Sequence, residues 1–173
     1  MLELRRLKTA SLQKPMDPIL TAFDRAFLRL DNRSRELLQR LPDELLFTKP
    51  RNISNSMAMF SCGEYVLRSA AMIEMTFGGI TTRLWDDPFE WTLPEKLADQ
   101  QKIFQYLDEV AETRRNGLSF FKSDEDLKRE MPAPEKLTPI IEILLGALVK
   151  AEHYQGRAFA VFQMLSDEKL PRL

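Results

Sequence analysis

The chain has one histidine, His153, and one cysteine, Cys62, among its 173 residues. The scarcity of histidine excludes a metal centre built from several imidazoles of one chain. The lone cysteine excludes an internal disulfide and fits a reducing, cytoplasmic setting. Charge of neither sign dominates, with 25 Lys and Arg against 26 Asp and Glu. That balance gives no electrostatic grip on DNA or RNA. The short basic stretch Arg5-Arg6-Leu7-Lys8 reads as a solvated tail. No run of about 18 apolar residues exists, so no membrane span is expected. Met1 to Arg6 lacks the apolar core of a secretion signal. No internal repeat or low-complexity tract is present.

What is present is helical punctuation and helical spacing. Asp17-Pro18 reads as a helix start, an N-cap followed by proline at the first helical position. Ile19, Leu20, Phe23, Phe27, Leu30, Leu37 and Leu38 then supply one apolar face, and Pro42 closes the helix. Ser61-Cys62-Gly63-Glu64 is a capping box opening a second helix, with Val66, Leu67, Ala70, Ala71, Ile73 and Phe77 on its apolar face. Gly78-Gly79 marks its end or a bend. Thr92-Leu93-Pro94-Glu95 is a second capping box. It opens a third helix through Leu97, Phe104, Leu107, Ala111, Leu118 and Phe121, which Asn116-Gly117 interrupts. Ser123 to Glu135 reads as a charged connection with room for a helical turn. Thr138-Pro139 opens the last helix, whose seam runs Ile140, Leu144, Ala147, Ala151, Tyr154, Ala158, Val161, Leu165 in steps of four and three.

These patterns predict an all-α protein without strand pairs. A single four-helix bundle spans 16–165, with tails at 1–15 and 166–173. The segment from Trp85 to Trp91, which holds both tryptophans, reads as a loop packed on the helix ends, with a substrate-covering or dimer-contacting role as the alternative. A second row on the last helix, Gly146, Val149, His153, Gly156 and Ala160, is expected to meet another helix, within the bundle or across a dimer.

Leu41-Pro42-Asp43-Glu44, then Gly63-Glu64-Tyr65-Val66-Leu67-Arg68-Ser69 through Glu74, then His153-Tyr154-Gln155-Gly156-Arg157 occur in an order that resembles the DinB/YfiT-like superfamily. These are metal-dependent four-helix bundle proteins. The resemblance implies a DinB-like bundle, a bacterial source and a homodimer. It also implies a site where one histidine of helix two meets a His-x-x-x-His pair of helix four. Residues four apart share a helix face, so three imidazoles could converge and leave a coordination position open.

This chain departs from that pattern. Anchored on Gly156, the helix-four ligand positions fall on Lys150 and Tyr154. Anchored on Glu74, the helix-two position falls on Ser69, or on Arg68 one residue away. None is a usual ligand of a divalent cation. His153 lies one residue before a ligand position, about 100° around the helix. No Glu-x-x-His occurs, so a di-iron carboxylate site is not expected either.

The expectation is a bundle with no metal and no cofactor. Ser69, Lys150 and Tyr154 take the ligand-equivalent pocket positions, with Arg68, His153 and Arg157 as nearby polar candidates. Lys150 and Tyr154, four apart, could form an acid–base pair or hold an anion; the simpler account has Tyr154 in the apolar seam and Lys150 snorkelling at its edge. Cys62 reads as a half-buried structural residue near a helix start, with a reactive thiol as the alternative. Two functions remain. One is a small-ligand-binding or stress-associated protein without the family's chemistry, which the missing histidines favour. The other is a thiol-dependent transferase or hydrolase with a polar site rebuilt around Ser69, Lys150 and Tyr154.

Overall fold

A computed structural model describes residues 17–50, 59–89, 97 and 99–172. Its α-helices are α1 (Pro18–Arg40), α2 (Asp43–Leu46), α3 (Cys62–Thr82), α4 (Gln100–Leu118) and α5 (Ile140–Leu165). The four long ones, α1, α3, α4 and α5, pack side by side, and α3 and α5 share the most extensive contact. No helix among the described residues is long and apolar enough to cross a membrane.

The start of α1 is where expected, but the cap is not. Asp17 makes no side-chain bond to its own helix. The free amides of Ile19 and Leu20 donate instead to the two carboxylate oxygens of Asp124, each at 3.0 Å, and the Asp124 amide donates to Asp17. Asp124 opens a 3₁₀ turn, Asp124–Lys128, so that turn is tied to α1 across the fold. The anion at the helix N-terminus also complements the macrodipole. Leu20, Phe23, Phe27, Leu30, Leu37 and Leu38 are buried as expected. Ile19, assigned to the same face, is 43% exposed.

The capping box of α3 forms as read. The Glu64 amide donates to Ser61 Oγ at 3.2 Å, and the Ser61 amide donates to Glu64 Oε2 at 2.7 Å. Gly78-Gly79 does not end this helix, which runs on to Thr82 and closes on Arg83 at φ 66°. Gly79 has a packing reason: a Cβ there would overlap the Trp85 indole, lying 2.7 Å from its Cζ3. Trp85 is partly buried against the core, in keeping with a packing role. Trp91 and the capping box from Thr92 to Glu95 lie outside the described residues, as does the N-terminal tail. The described part of α4 begins at Gln100, where the Asp99 carboxylate accepts from the Lys102 amide at 2.8 Å. Asn116-Gly117 does not interrupt it; α4 continues through Leu118.

The all-α class holds, but two short strands correct the expectation that no strands pair. β1 (Glu130–Pro132) pairs antiparallel with β2 (Leu137–Pro139), with Met131 opposite Thr138. Three residues are too few to show alternation, and the two prolines speak against a strand unless it lies at an edge. The hairpin also moves the start of α5. Thr138 is spent on strand pairing, so Pro139 becomes the N-cap and Ile140 the first helical residue.

Along α5 the seam is buried except at Tyr154, which is half-buried, and Leu165. Gln155 takes a buried position that periodicity had not marked. Its Nε2 donates to the Leu30 carbonyl at 2.7 Å and to Ser34 Oγ at 2.8 Å, fixing α5 against α1. All five residues of the row Gly146, Val149, His153, Gly156, Ala160 are exposed, and a Cβ at Gly146 or Gly156 would meet nothing within 4 Å. Gly146 borders α3 only across an open groove lined by Met72 and Met75. The close helix contact expected of the two glycines is therefore not made within the bundle. After Leu165 the chain returns over the core: Leu170 packs against it, and Arg40 donates to the Lys169 carbonyl.

Candidate functional site

Residues three and four apart share a helix face. On α3 that spacing joins Tyr65, Arg68, Met72 and Met75; on α5 it joins Lys150, Tyr154 and Arg157. The two faces border one seam, and an aromatic and cationic cluster occupies one end of it. The Tyr65 and Tyr154 rings lie 6.4 Å apart, and Phe60 meets Tyr65 edge-on at 5.5 Å. The Arg68 guanidinium sits over the Phe60 ring at 4.1 Å. Arg157 sits over Tyr65 at 6.0 Å, and its Nη1 donates to the Tyr65 hydroxyl at 3.4 Å. His153 touches Tyr154 edge-on at 6.0 Å.

Farther along, the seam opens into a groove of about 180 Å³ lined by Met72, Met75, Trp85, Gly146, Ala147 and Lys150. Its walls are mainly apolar; Lys150 brings a cation to the end nearer the cluster, and Glu142, two turns earlier on α5, a carboxylate to the other. The groove and the cluster meet where Lys150 and Tyr154 stand one turn apart on α5, and Met72 and Arg68 one turn apart on α3.

The expected site is thus rearranged. Arg68, Tyr154, Arg157 and His153 are linked through Phe60 and Tyr65. Ser69 is not part of that cluster. It is 2% exposed, and its hydroxyl donates to the Ala151 carbonyl at 2.8 Å, joining α3 to α5. Its other neighbour is an interior cavity of about 20 Å³, shared with Ser34, Asp31 and Arg114. That volume is room for about one water. Ser69 and Lys150 therefore border different spaces, and no hydrogen bond joins either to Tyr154 among the described residues. Phe60 and Tyr65 were missed as site residues because aromatic side chains at helical spacing read first as core. The signal that could have found Tyr65 is its place three residues before Arg68.

Cys62 is fully buried, and its Sγ lies 3.6 Å from the Ala158 carbonyl. Burial pushes the thiol up to about 12, which corrects the reactive-thiol alternative: desolvation outweighs the pull of the helix N-terminus. A disulfide reagent such as DTNB should label the native protein far more slowly than a free thiol at both pH 7 and pH 9, and label it at once in denaturant. Native labelling as fast as that of a free thiol at the same pH would show a thiol open to solvent.

Elsewhere on α3, Glu74 accepts from the Tyr106 hydroxyl at 2.6 Å. Burial, with the Glu74 charge second, drives that phenol well above its usual range. The pair is a partly buried link between α3 and α4.

The fold has a counterpart of known structure. A crystal structure of a DinB-like protein from Bacillus cereus ATCC 10987 superposes with a TM-score of 0.67, covering 88% of this chain and 96% of that one at 15% sequence identity. The chain therefore has a DinB-like fold. No family model and no curated protein matches the sequence.

The metal implied by the DinB resemblance does not fit the residues at the equivalent positions. Ser69 spends its hydroxyl on a backbone carbonyl, Lys150 presents an ammonium, and Tyr154 is packed on Tyr65. Among the described residues no group of three or more His, Cys, Asp and Glu side chains comes together where a metal could be held.

Proposed function

We propose that this protein binds small anionic molecules with an apolar body along the α3–α5 seam, a ligand-binding or stress-associated role without the family's metal chemistry. One observation carries the reading. Arg68 and Arg157 are held on aromatic rings, and neither forms an ion pair among the described residues. Arg68 Nε is buried without a hydrogen-bond partner. A buried donor left unpaired costs about 1–3 kcal/mol, so a ligand that accepts from it gains the relief of that cost.

A guanidinium resting on a ring keeps its N–H groups directed around the ring's edge, where a carboxylate or phosphate can take two of them. Lys150 adds charge about two turns from Arg157 along α5. The methionine- and tryptophan-lined groove supplies adaptable apolar surface for the rest of the molecule. The transferase or hydrolase reading has less support, because the hydroxyl of Ser69 is engaged with backbone and the cavity beside it is water-sized.

Phenyl phosphate and benzoate, followed by tryptophan emission and calorimetry, test the proposal. The expected result is binding to the wild type that weakens about tenfold for Arg68→Gln or Arg157→Gln, and severalfold for Lys150→Ala, with far-UV circular dichroism unchanged. No binding of either probe at millimolar concentration, or equal binding by an Arg68→Gln/Arg157→Gln double variant, would sink it.

A further inference from the structure

We infer that the hollow where the ends of α3 and α4 meet β1 is a second ligand site, and that it takes a free α-amino acid with a large apolar side chain. The hollow measures about 200 Å³. That is below the roughly 300–1,000 Å³ of sites for drug-sized ligands and suits a smaller molecule. Its floor is apolar and buried: Ile80 of α3, Phe121 just after α4, Met131 of β1 and Ile140 at the start of α5. Its rim is exposed and charged, formed by Arg83, Arg129 and Glu130, with Phe120 beside them at 57% exposure. The Arg129 carbonyl accepts from the Ile140 amide at 3.0 Å, which pins the stretch carrying Arg129 and Glu130 to the start of α5. This hollow shares no lining residue with the groove beside Lys150.

Arg83 marks the hollow as a site. It is the only residue with positive φ among the described residues, at 66°. It closes α3 in the left-handed conformation, where helices ordinarily place glycine because a Cβ is crowded there. The fold does not need an arginine at this point. The closing bond runs from the Arg83 amide to the Gly79 carbonyl at 3.0 Å, and a glycine would make it equally well. The Arg83 side chain forms no ion pair among the described residues. What the arginine adds is a guanidinium at the rim of the hollow, and backbone held in a costly conformation without a structural gain points to function.

The charges on the rim set the ligand class. Two guanidiniums favour a carboxylate, which either can hold through two parallel bonds. Arg129 leans on Asp126 at 3.3 Å, an exposed pair that contributes little and leaves donors over. Glu130 forms no ion pair among the described residues, so it repels a plain anion and attracts an ammonium. A zwitterion answers both signs at once, and the apolar floor takes its side chain. An amino acid at either end of a peptide has lost one of the two charges, so the free molecule is the match.

Calorimetric titration of the full chain with L-phenylalanine and its two blocked forms tests the inference. L-phenylalanine should bind with a Kd of about 1 mM or tighter. N-acetyl-L-phenylalanine lacks the ammonium and L-phenylalaninamide lacks the carboxylate; each should bind about tenfold more weakly. Arg83→Gly should weaken phenylalanine binding about tenfold or more, while its urea midpoint stays level or rises, because glycine adopts the closing conformation freely. Glu130→Gln should change the order, so that the N-acetyl form binds at least as well as the free amino acid. Arg68→Gln/Arg157→Gln, at the α3–α5 seam, should leave phenylalanine binding unchanged, which separates this site from the one proposed there. No binding of L-phenylalanine at about 10 mM, tenfold above the expected Kd, overturns the site. Equal binding of the three forms overturns the ligand class. An Arg83→Gly protein that binds as the wild type does, or that unfolds at lower urea, overturns the role given to Arg83.

Discussion

Gly117→Ala should lower the unfolding free energy by about 1–3 kcal/mol in the native background, yet cost much less once Phe77 has been cut to alanine. Gly117 lies in the last turn of α4, where that helix crosses α3. A Cβ at this position would overlap the Phe77 ring and come within 3.0 Å of Phe77 Cβ. Phe77 is 0% exposed and packs edge-on against Phe27 at 5.4 Å. The ring cannot swing aside without disturbing α1 as well.

Two effects of the added methyl oppose each other. Alanine gains up to about 1 kcal/mol over glycine in a helix interior, and less in a last turn. Overpacking a filled core costs more than that, so the sum is destabilising. Phe77→Ala alone should cost about 3–5 kcal/mol, the largest single loss expected in this protein, since it removes a fully buried ring and leaves a cavity. In that background the ring is gone and the methyl at 117 meets only the Cβ of residue 77, at 3.0 Å, so most of the overpacking cost disappears. The double variant should therefore lie within about 1 kcal/mol of Phe77→Ala. Urea midpoints at constant slope measure all four proteins. Strictly additive costs would mean that Gly117 is required by its backbone and not by Phe77.

The same glycine shows how far the sequence could be read. In one dimension Asn116-Gly117 is a helix breaker, and nothing in α4 itself says otherwise. Its role becomes visible only when Phe77, 40 positions earlier, is brought against it. Gly79 under Trp85 repeats the lesson. Features governed by local chemistry were legible: the capping box at Ser61 and Glu64, the proline at the start of α1, the buried seam of α5. Features that needed a partner from elsewhere were not, such as the Asp124 cap on α1 and the edge pairing of Met131 with Thr138.

The candidate site divides along the same line. Helical spacing put Lys150 and Tyr154 on one face of α5. It could not tell which face of α3 would meet which face of α5. The family's ligand positions group Ser69 with Lys150, although the Ser69 hydroxyl donates to the Ala151 carbonyl and Arg68 lies along the seam. The scarcity of histidine was the firmest functional signal because it needs no geometry.

The second large effect expected is an asymmetry within one ion pair. Asp24→Ala should cost about 3 kcal/mol, whereas Arg114→Met should change stability by about 1 kcal/mol or less. The Arg114 side chain is 6% exposed and that of Asp24 32% exposed. Arg114 Nη1 donates to the Asp24 carboxylate and, at 3.3 Å, to the Asp24 carbonyl, tying α4 to α1. Burial, with the neighbouring Arg115 charge second, holds this guanidinium below its usual range, because its charge is costly there.

Without the Asp24 carboxylate, the charge stays buried with a single carbonyl. The other carboxylate beside the interior cavity, Asp31, is already taken: it accepts from Arg35 Nε at 2.9 and 3.1 Å. Without Arg114, by contrast, Asp24 can turn to water, and methionine fills the vacated channel with a flexible apolar chain of similar length. It follows that adding Arg114→Met to Asp24→Ala should recover most of the lost stability, although it removes a second native residue. Thermal and urea unfolding of the four proteins decide the matter. Equal losses from the two single variants, with no recovery in the double, would show that the pair stabilises through mutual attraction and not through the cost of a stranded charge.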